Sequence, residues 1–280
     1  MDDVEHVYYS HRKGVNENLK GLPLGEVIEL FVRVFHQLSN EGYFSEAFGY
    51  RCVNGDIDGL LPDVELEVLL TIRKKSLWPI EEHCSLYSED DFFDIIEFLF
   101  QHVSKPMNSH FHDYYDCGMH WSDFNSSAGR DEYRRRTNRV LSQYISRFEL
   151  APSGEVLHAP EQGFEQIFNA EIPSQDEKVT SRIKAAVVRF RRHGSTKDDR
   201  RQAVRDLADV LEYLRPMVQK LLTNKDERDL FNLANNFGIR HHNDKQKTGY
   251  DQSLWLSWMF YYYLATIHVL LRKLGIEADE

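Results

Sequence analysis

Apolar residues first take helical spacing in Val27–Leu38 (VIELFVRVFHQL) of this 280-residue chain. Val64–Ile72 (VELEVLLTI) begins with alternation and ends as a short apolar run, so helix and strand compete there. Asp91–Val103 (DFFDIIEFLFQHV) has the pattern of an amphipathic helix, with Asp90 or Asp91 available as its N-cap and Pro106 beyond its end. Asn108–Ser127 is irregular, rich in His, Asp, Asn and aromatic residues, and reads as a loop. Helical spacing returns in Tyr133–Phe148, and Phe148–Leu157 (FELAPSGEVL) reads as two short strands about a Pro-Ser-Gly turn.

The second half is more regular. Residues 158–180 carry Pro160, Gly163 and Pro173 among acidic and small residues and form the best candidate linker, although Phe164, Ile167 and Phe168 suggest that part of it docks. Arg182–His193 reads as a basic helix ended by Gly194, and Ser195 or Thr196 can cap the next one. In that helix Val204, Leu207, Leu211, Leu214, Val218 and Leu221 recur at alternating steps of three and four, the seam of a helical bundle. Pro216 should kink or divide it. Asp226–Phe237 and Ser253–Leu274 complete four predicted helices joined by short connections. The expected fold is mainly α: an acidic α+β domain over 1–172, then an up-and-down four-helix bundle over 173–280.

Composition changes this picture little. Hydrophobic residues at 41% and charged residues at 28% belong to an ordinary globular protein rather than a disordered one. Charge changes it more. Residues 1–181 hold 16 Lys and Arg against 32 Asp and Glu, while residues 182–280 hold 18 against 13, so a net −16 precedes a net +5. Such asymmetry suggests two domains with different partners. Cys52, Cys84 and Cys117 are odd in number and lack a CxxC pair, which argues against a disulfide framework and a cysteine-based zinc site. The amino terminus, MDDVEHVYYSHRKG, is acidic and lacks the apolar core of a secretory signal. A reducing, cytoplasmic setting is the expectation.

Leu254–Leu271 (LWLSWMFYYYLATIHVLL) has no formal charge and approaches the length of a membrane span. Its tyrosines, Thr266 and His268 lie in its middle, where a span avoids them. A buried helix is the reading, with no membrane partner. Trp255, Trp258, Tyr261, Tyr262 and Tyr263 cover much of its circumference, more than three neighbours should bury, which points to a homodimer through the bundle.

The densest polar cluster is Asn236, Arg240, His241, His242 and Asn243, with Lys245 and Lys247 just behind, at the junction of the third and fourth helices. Arg can grip a phosphate with two parallel hydrogen bonds, and His exchanges a proton near neutral pH. Together they could cleave RNA without a metal or cofactor. The competing structural account pairs Arg240 with an acidic residue such as Glu212 and leaves the histidines as helix caps. A second cluster, His110, His112, Asp113, Asp116 and His120, has an H-x-H-D spacing that could hold zinc or another divalent ion. Its competing account is a hydrogen-bonded loop, which is preferred. Lone His36, His102 and His268 fit core or boundary positions. There is no GxxxxGK[ST], GxGxxG after a strand, GxSxG or HExxH.

The last hundred residues resemble the HEPN superfamily, especially the bundles that end abortive-infection proteins. The resemblance rests on Ala203–Val218 (AVRDLADVLEYLRPMV), Leu230–Asn243 (LFNLANNFGIRHHN) and Trp255–Leu274 (WLSWMFYYYLATIHVLLRKL). More loosely, Phe92–Pro106 and Asn138–Leu157 resemble the amino-terminal domains of the same group. The resemblance implies a dimeric, metal-independent endoribonuclease in antiphage defence or toxin-type growth control. Arg240 would hold the scissile phosphate, His242 or His241 would act as acid and base, and Asn243 would orient them. Lys245, Lys247, Arg189, Arg191 and Arg192 would guide the strand. The superfamily motif separates the Arg from a following His by four to six residues, where this chain has Lys, Gln and Lys at 245–247. The alternative is an inactive nucleic-acid-binding or protein-interaction module, with a protein partner on the acidic half.

Overall fold

The computed structural model describes residues 8–15, 21–161, 163–218, 225, 228 and 252–279. The described chain is mainly helical, with two small two-stranded sheets. It divides into two compact units, Met1–Leu157 and His158–Glu280. The stretch 158–172, expected with the first domain, therefore falls in the second. Ile167, Phe168 and Ile172 pack against that unit's core, which is why its apolar residues looked ready to dock.

The first unit opens with the short α1 (Tyr9–Arg12), followed by α2 (Leu24–Asn40) and α3 (Ser45–Phe48). Next come α4 (Val64–Ile72), α5 (Ile80–His83) and α6 (Glu89–His102). The ambiguous Val64–Ile72 is helical because Asp63 caps it, its carboxylate accepting from the Leu66 amide at 2.9 Å. Neither Asp90 nor Asp91 caps α6. Ser88 is the cap, and Asp91, three residues on, closes a reciprocal capping box with it. Seven residues of α6 are buried, so it is apolar on most of its circumference and forms the centre of the unit. Phe31 of α2 meets Phe92 edge-on at 5.3 Å.

The irregular stretch after α6 is a correction to the expected loop. Strands β1 (Lys105–His112) and β2 (Gly118–Asn125) pair antiparallel there, and α7 begins at Ser126 and ends at Leu141. Asn125 caps α7 through the Ala128 amide. Within α7, Tyr133 is fully buried and donates to the Ile96 carbonyl at 3.0 Å. Gly129 lets the same helix approach the root of β1, since a Cβ there would lie 2.6 Å from the Lys105 nitrogen. Strands β3 (Phe148–Leu150) and β4 (Val156–His158) form the expected pair around the Pro-Ser-Gly turn.

In the second unit, α8 (Glu165–Asn169) leads to α9 (Glu177–Arg191), α10 (Lys197–Val218) and α11 (Gln252–Asp279). Helix α10 packs on both α9 and α11. Its Val204, Leu207, Leu211 and Leu214 are all buried, as their spacing requires. Thr196 caps it in a box with Asp199. The helix continues through Pro216 to Val218. Phe190 of α9 stacks on Phe260 of α11 at 4.0 Å, and Phe164 stacks on Tyr261 at 4.0 Å. Ser253–Gly275 is long and apolar enough to cross a membrane by length and composition alone. Buried positions make up 61% of its most apolar window, because α9 and α10 cover that face. Of the expected third bundle helix, 226–237, only Arg228 is among the described residues.

Candidate nucleic-acid surface and a histidine–cysteine cluster

Arg240, His241, His242, Asn243, Asn236, Lys245 and Lys247 lie outside the described residues. Their proposed neighbour Glu212 sits on α10, where its carboxylate meets Arg215 at 3.3 Å. The three arginines expected to guide a strand do not share one face. Arg189 and Arg192 are exposed at the end of α9, but Arg191 is buried. Its Nε donates to the His158 carbonyl at 2.9 Å, and its guanidinium lies 4.8 Å from the Phe168 ring centre. Consecutive helical positions point about 100° apart, so adjacent arginines cannot all face solvent when one side packs. Arg191 is thus a correction: it anchors α9 to the preceding segment and is not available to a strand.

Arg189 and Arg192 instead line a cleft of about 330 Å³ at the α9–α10 corner, together with His193, Ser195 and Asp199. Asp206 lies 3.5 Å from the Arg189 guanidinium. Hydrogen bonds from Thr196, with help from Arg189 and Arg192, hold the Asp199 carboxyl below the usual carboxylate range. The corner thus sets two guanidinia beside two carboxylates, Asp199 tied to the helix cap and Asp206 to Arg189.

The first unit brings together a second set of groups. Alternation along β1 puts His110 and His112 on one face, and the strand register sets His120 opposite His110. Ring centres are 5.3 Å apart for His110 and His120, and 4.9 Å for His112 and His120. Beyond β1 the chain makes a tight turn, with Tyr115 at φ 53°, that returns Cys117 to this face. Its Sγ is 3.3 Å from Nε2 of His120. A separate loop delivers Cys52, whose Sγ is 3.7 Å from Nδ1 of His112. That loop is closed by reciprocal backbone hydrogen bonds between Tyr50 and Ile57 at 3.0 and 2.9 Å. Gly49, at φ +72°, precedes it, and a Cβ there would collide with the Ile57 carbonyl.

One donor atom from each of Cys52, His112, Cys117 and His120 lies within 4.8 Å of every other. His120 is buried and the other three are half-buried. Burial, with His112 and His110 nearby, pushes the His120 imidazole below its ordinary pKa, toward the neutral form that can donate a lone pair. Of the five residues expected as a metal set, only His112 and His120 belong to this group. His110 is exposed beside it, and Asp113 is outside it. The Asp116 side chain lies outside the described residues. Sequence reasoning missed both cysteines, because Cys52 lies 60 residues before His112 in the chain. The legible signal was Cys117-Gly118-Met119-His120, a two-residue spacing between a thiol and an imidazole.

Comparison of the whole chain with family models, with curated proteins and with solved structures finds no match.

Proposed function

We propose that this chain acts on RNA through its second unit, as a HEPN-like helical bundle that cleaves RNA without a metal and serves in antiphage defence or toxin-type growth control. The observation that carries the reading is the exposed corner where Arg189, Arg192 and His193 surround a cleft next to the α10 cap. The buried 3-4 seam of α10 between α9 and α11 fits the packing of such a bundle. In this reading 226–237 supplies the third of four bundle helices, and Arg240 at its end grips the scissile phosphate. His242 or His241 removes the 2′-OH proton, the 2′-oxygen attacks phosphorus, and the 5′-oxygen leaves with a proton from the paired acid. Asn243 orients the imidazole. The products are a 2′,3′-cyclic phosphate and a 5′-hydroxyl.

The absence of a His at 245–247 favours a second reading, in which the bundle binds RNA or protein without cutting. One experiment separates the two. Purified protein is incubated with total cellular RNA in magnesium-free buffer, and fragment ends are typed. Fragments ending in cyclic phosphate that disappear with His242→Ala and Arg240→Ala support catalysis. Intact RNA with retained binding leaves the second reading. Trp258 and Tyr262 stack at 5.6 Å on α11 and remain 41% and 39% exposed, which supports a homodimer through that helix. A monomer in light scattering at micromolar concentration would overturn the dimer.

A further inference from the structure

We propose that Cys52, His112, Cys117 and His120 bind one zinc ion and that this ion fastens the 50–57 loop to the β1–β2 hairpin. The proposal concerns the first unit alone and is independent of any action on RNA.

The geometry is close to what zinc requires. Tetrahedral zinc, with bonds of about 2.3 Å to sulfur and about 2.0 Å to nitrogen, spaces its donors roughly 3.3–3.8 Å apart. The Cys52–His112 separation of 3.7 Å and the Cys117–His120 separation of 3.3 Å fall in this range. The full set, within 4.8 Å, needs only small side-chain rotations to close. Two sulfur and two nitrogen donors suit zinc over calcium or magnesium, which take oxygen.

Two further observations point the same way. The Asn54 backbone amide donates to the Cys52 sulfur at 3.4 Å, a contact that stabilises a thiolate. The Asn54 side-chain amide lies 3.4 Å from Nε2 of His112. The atom placed there is Nδ2, so when Nδ1 of His112 holds the metal and Nε2 carries the proton, the Asn54 amide turns over to present its oxygen as acceptor. This is the outer partner that fixes a ligating imidazole. The second observation concerns the hairpin itself. Lys105, Met107–Phe111 and Tyr114–Tyr115 are exposed, and a two-stranded ribbon with so little apolar cover is marginal in water. A metal at its tip supplies the missing cohesion.

Four protein ligands complete the zinc coordination, so the site is structural and holds no place for substrate. On binding, each thiol gives its proton to solvent as its Zn–S bond forms, and both imidazoles donate from their neutral forms. Affinity therefore falls as the pH is lowered.

The test uses the full chain, purified with reductant and without chelator. The expected results are one equivalent of zinc by elemental analysis and, after exchange into cobalt(II), the visible bands of a tetrahedral S2N2 centre. Zinc should slow alkylation of Cys52 and Cys117 at least about tenfold while leaving Cys84 unchanged, because ligating thiols are no longer free nucleophiles. That measurement needs no variant, so it does not depend on a ligand substitution leaving the fold intact. Asn54→Ala should weaken zinc affinity by roughly 10- to 100-fold. His110→Ala should leave it unchanged. Substoichiometric metal with equal alkylation of the three cysteines, a Cys52–Cys117 disulfide that takes up no zinc after reduction, or loss of zinc in His110→Ala would each overturn the assignment.

Discussion

Arg136 is held by two carboxylates that come from different parts of the chain. Its guanidinium makes two parallel bonds to Glu41, at 2.8 and 2.7 Å, and its Nε binds Glu132 one turn earlier on α7. Hydrogen bonds from Arg135, then from Arg136, hold the Glu132 carboxyl down to about 2, against the burial that opposes them. A carboxyl depressed in the folded state contributes stability that is complete above its unfolded pKa of 4.5 and is lost as the pH falls toward 2. Urea unfolding of Glu132→Gln should therefore converge with the parent at pH 2 and diverge above about pH 4.5, by roughly 1 kcal/mol once partial solvent exposure is allowed for. A constant difference at all pH values would place the effect in packing. Individual residues were unevenly legible. The capping oxygen of Asp63 and the buried leucines of α10 follow from local pattern, but the inward turn of Arg191 depends on Phe168 and the His158 carbonyl, which no local rule connects to it.

At the scale of elements, the helices were the readable part and the β1–β2 hairpin was not. Amphipathic period marks α2, α6, α9 and α10, because each buries one stripe or nearly its whole circumference against a core. The hairpin buries almost nothing along β1, so the alternation that betrays a half-buried strand is missing, and Asn108–Ser127 looks like a loop. Its remaining sign is the two-residue step from His110 to His112, which is strand period written in imidazoles instead of apolar side chains. A hairpin of this kind should depend on whatever joins its tip to the 50–57 loop. With free zinc at a hundredfold excess over Kd, linkage sets the stabilisation of the bound form at about 2.7 kcal/mol. Hydrogen exchange should then slow at the amides of 118–121 and 50–57 more than in the centre of α6, and chelation should reverse it. Gly49→Ala should weaken the same coupling, because φ +72° and the Ile57 carbonyl leave no room for a side chain. Its stability should drop by at least about 1 kcal/mol in thermal unfolding, and equal Tm values for parent and variant would refute that account.

The whole molecule joins an acidic first unit, with a net charge of −12, to a nearly neutral second one, at +1, whose positive charge gathers after residue 181, and this charge division is the large-scale property that the sequence carries most directly. It also sets the form that RNA binding must take if the proposed function holds. Positive charges that neutralise phosphates release counterions, so affinity falls with salt at a slope of about 0.7 per contact on a single strand. Replacing Arg189 and Arg192 by Gln removes two exposed guanidinia at the α9–α10 corner without touching Arg191, whose buried contacts hold the helix. The double variant should therefore keep its thermal stability and lower the slope of log K against log salt by roughly 1.4. Arg191→Gln should do the reverse: it leaves the His158 carbonyl and the Phe168 ring without their partner, lowers Tm, and alters the salt slope only through unfolding. Binding titrations of a short unstructured RNA at four salt concentrations distinguish these outcomes. An unchanged slope in the double variant would remove the α9–α10 corner from the RNA path and shift the proposed function onto Arg240, Lys245 and Lys247 alone.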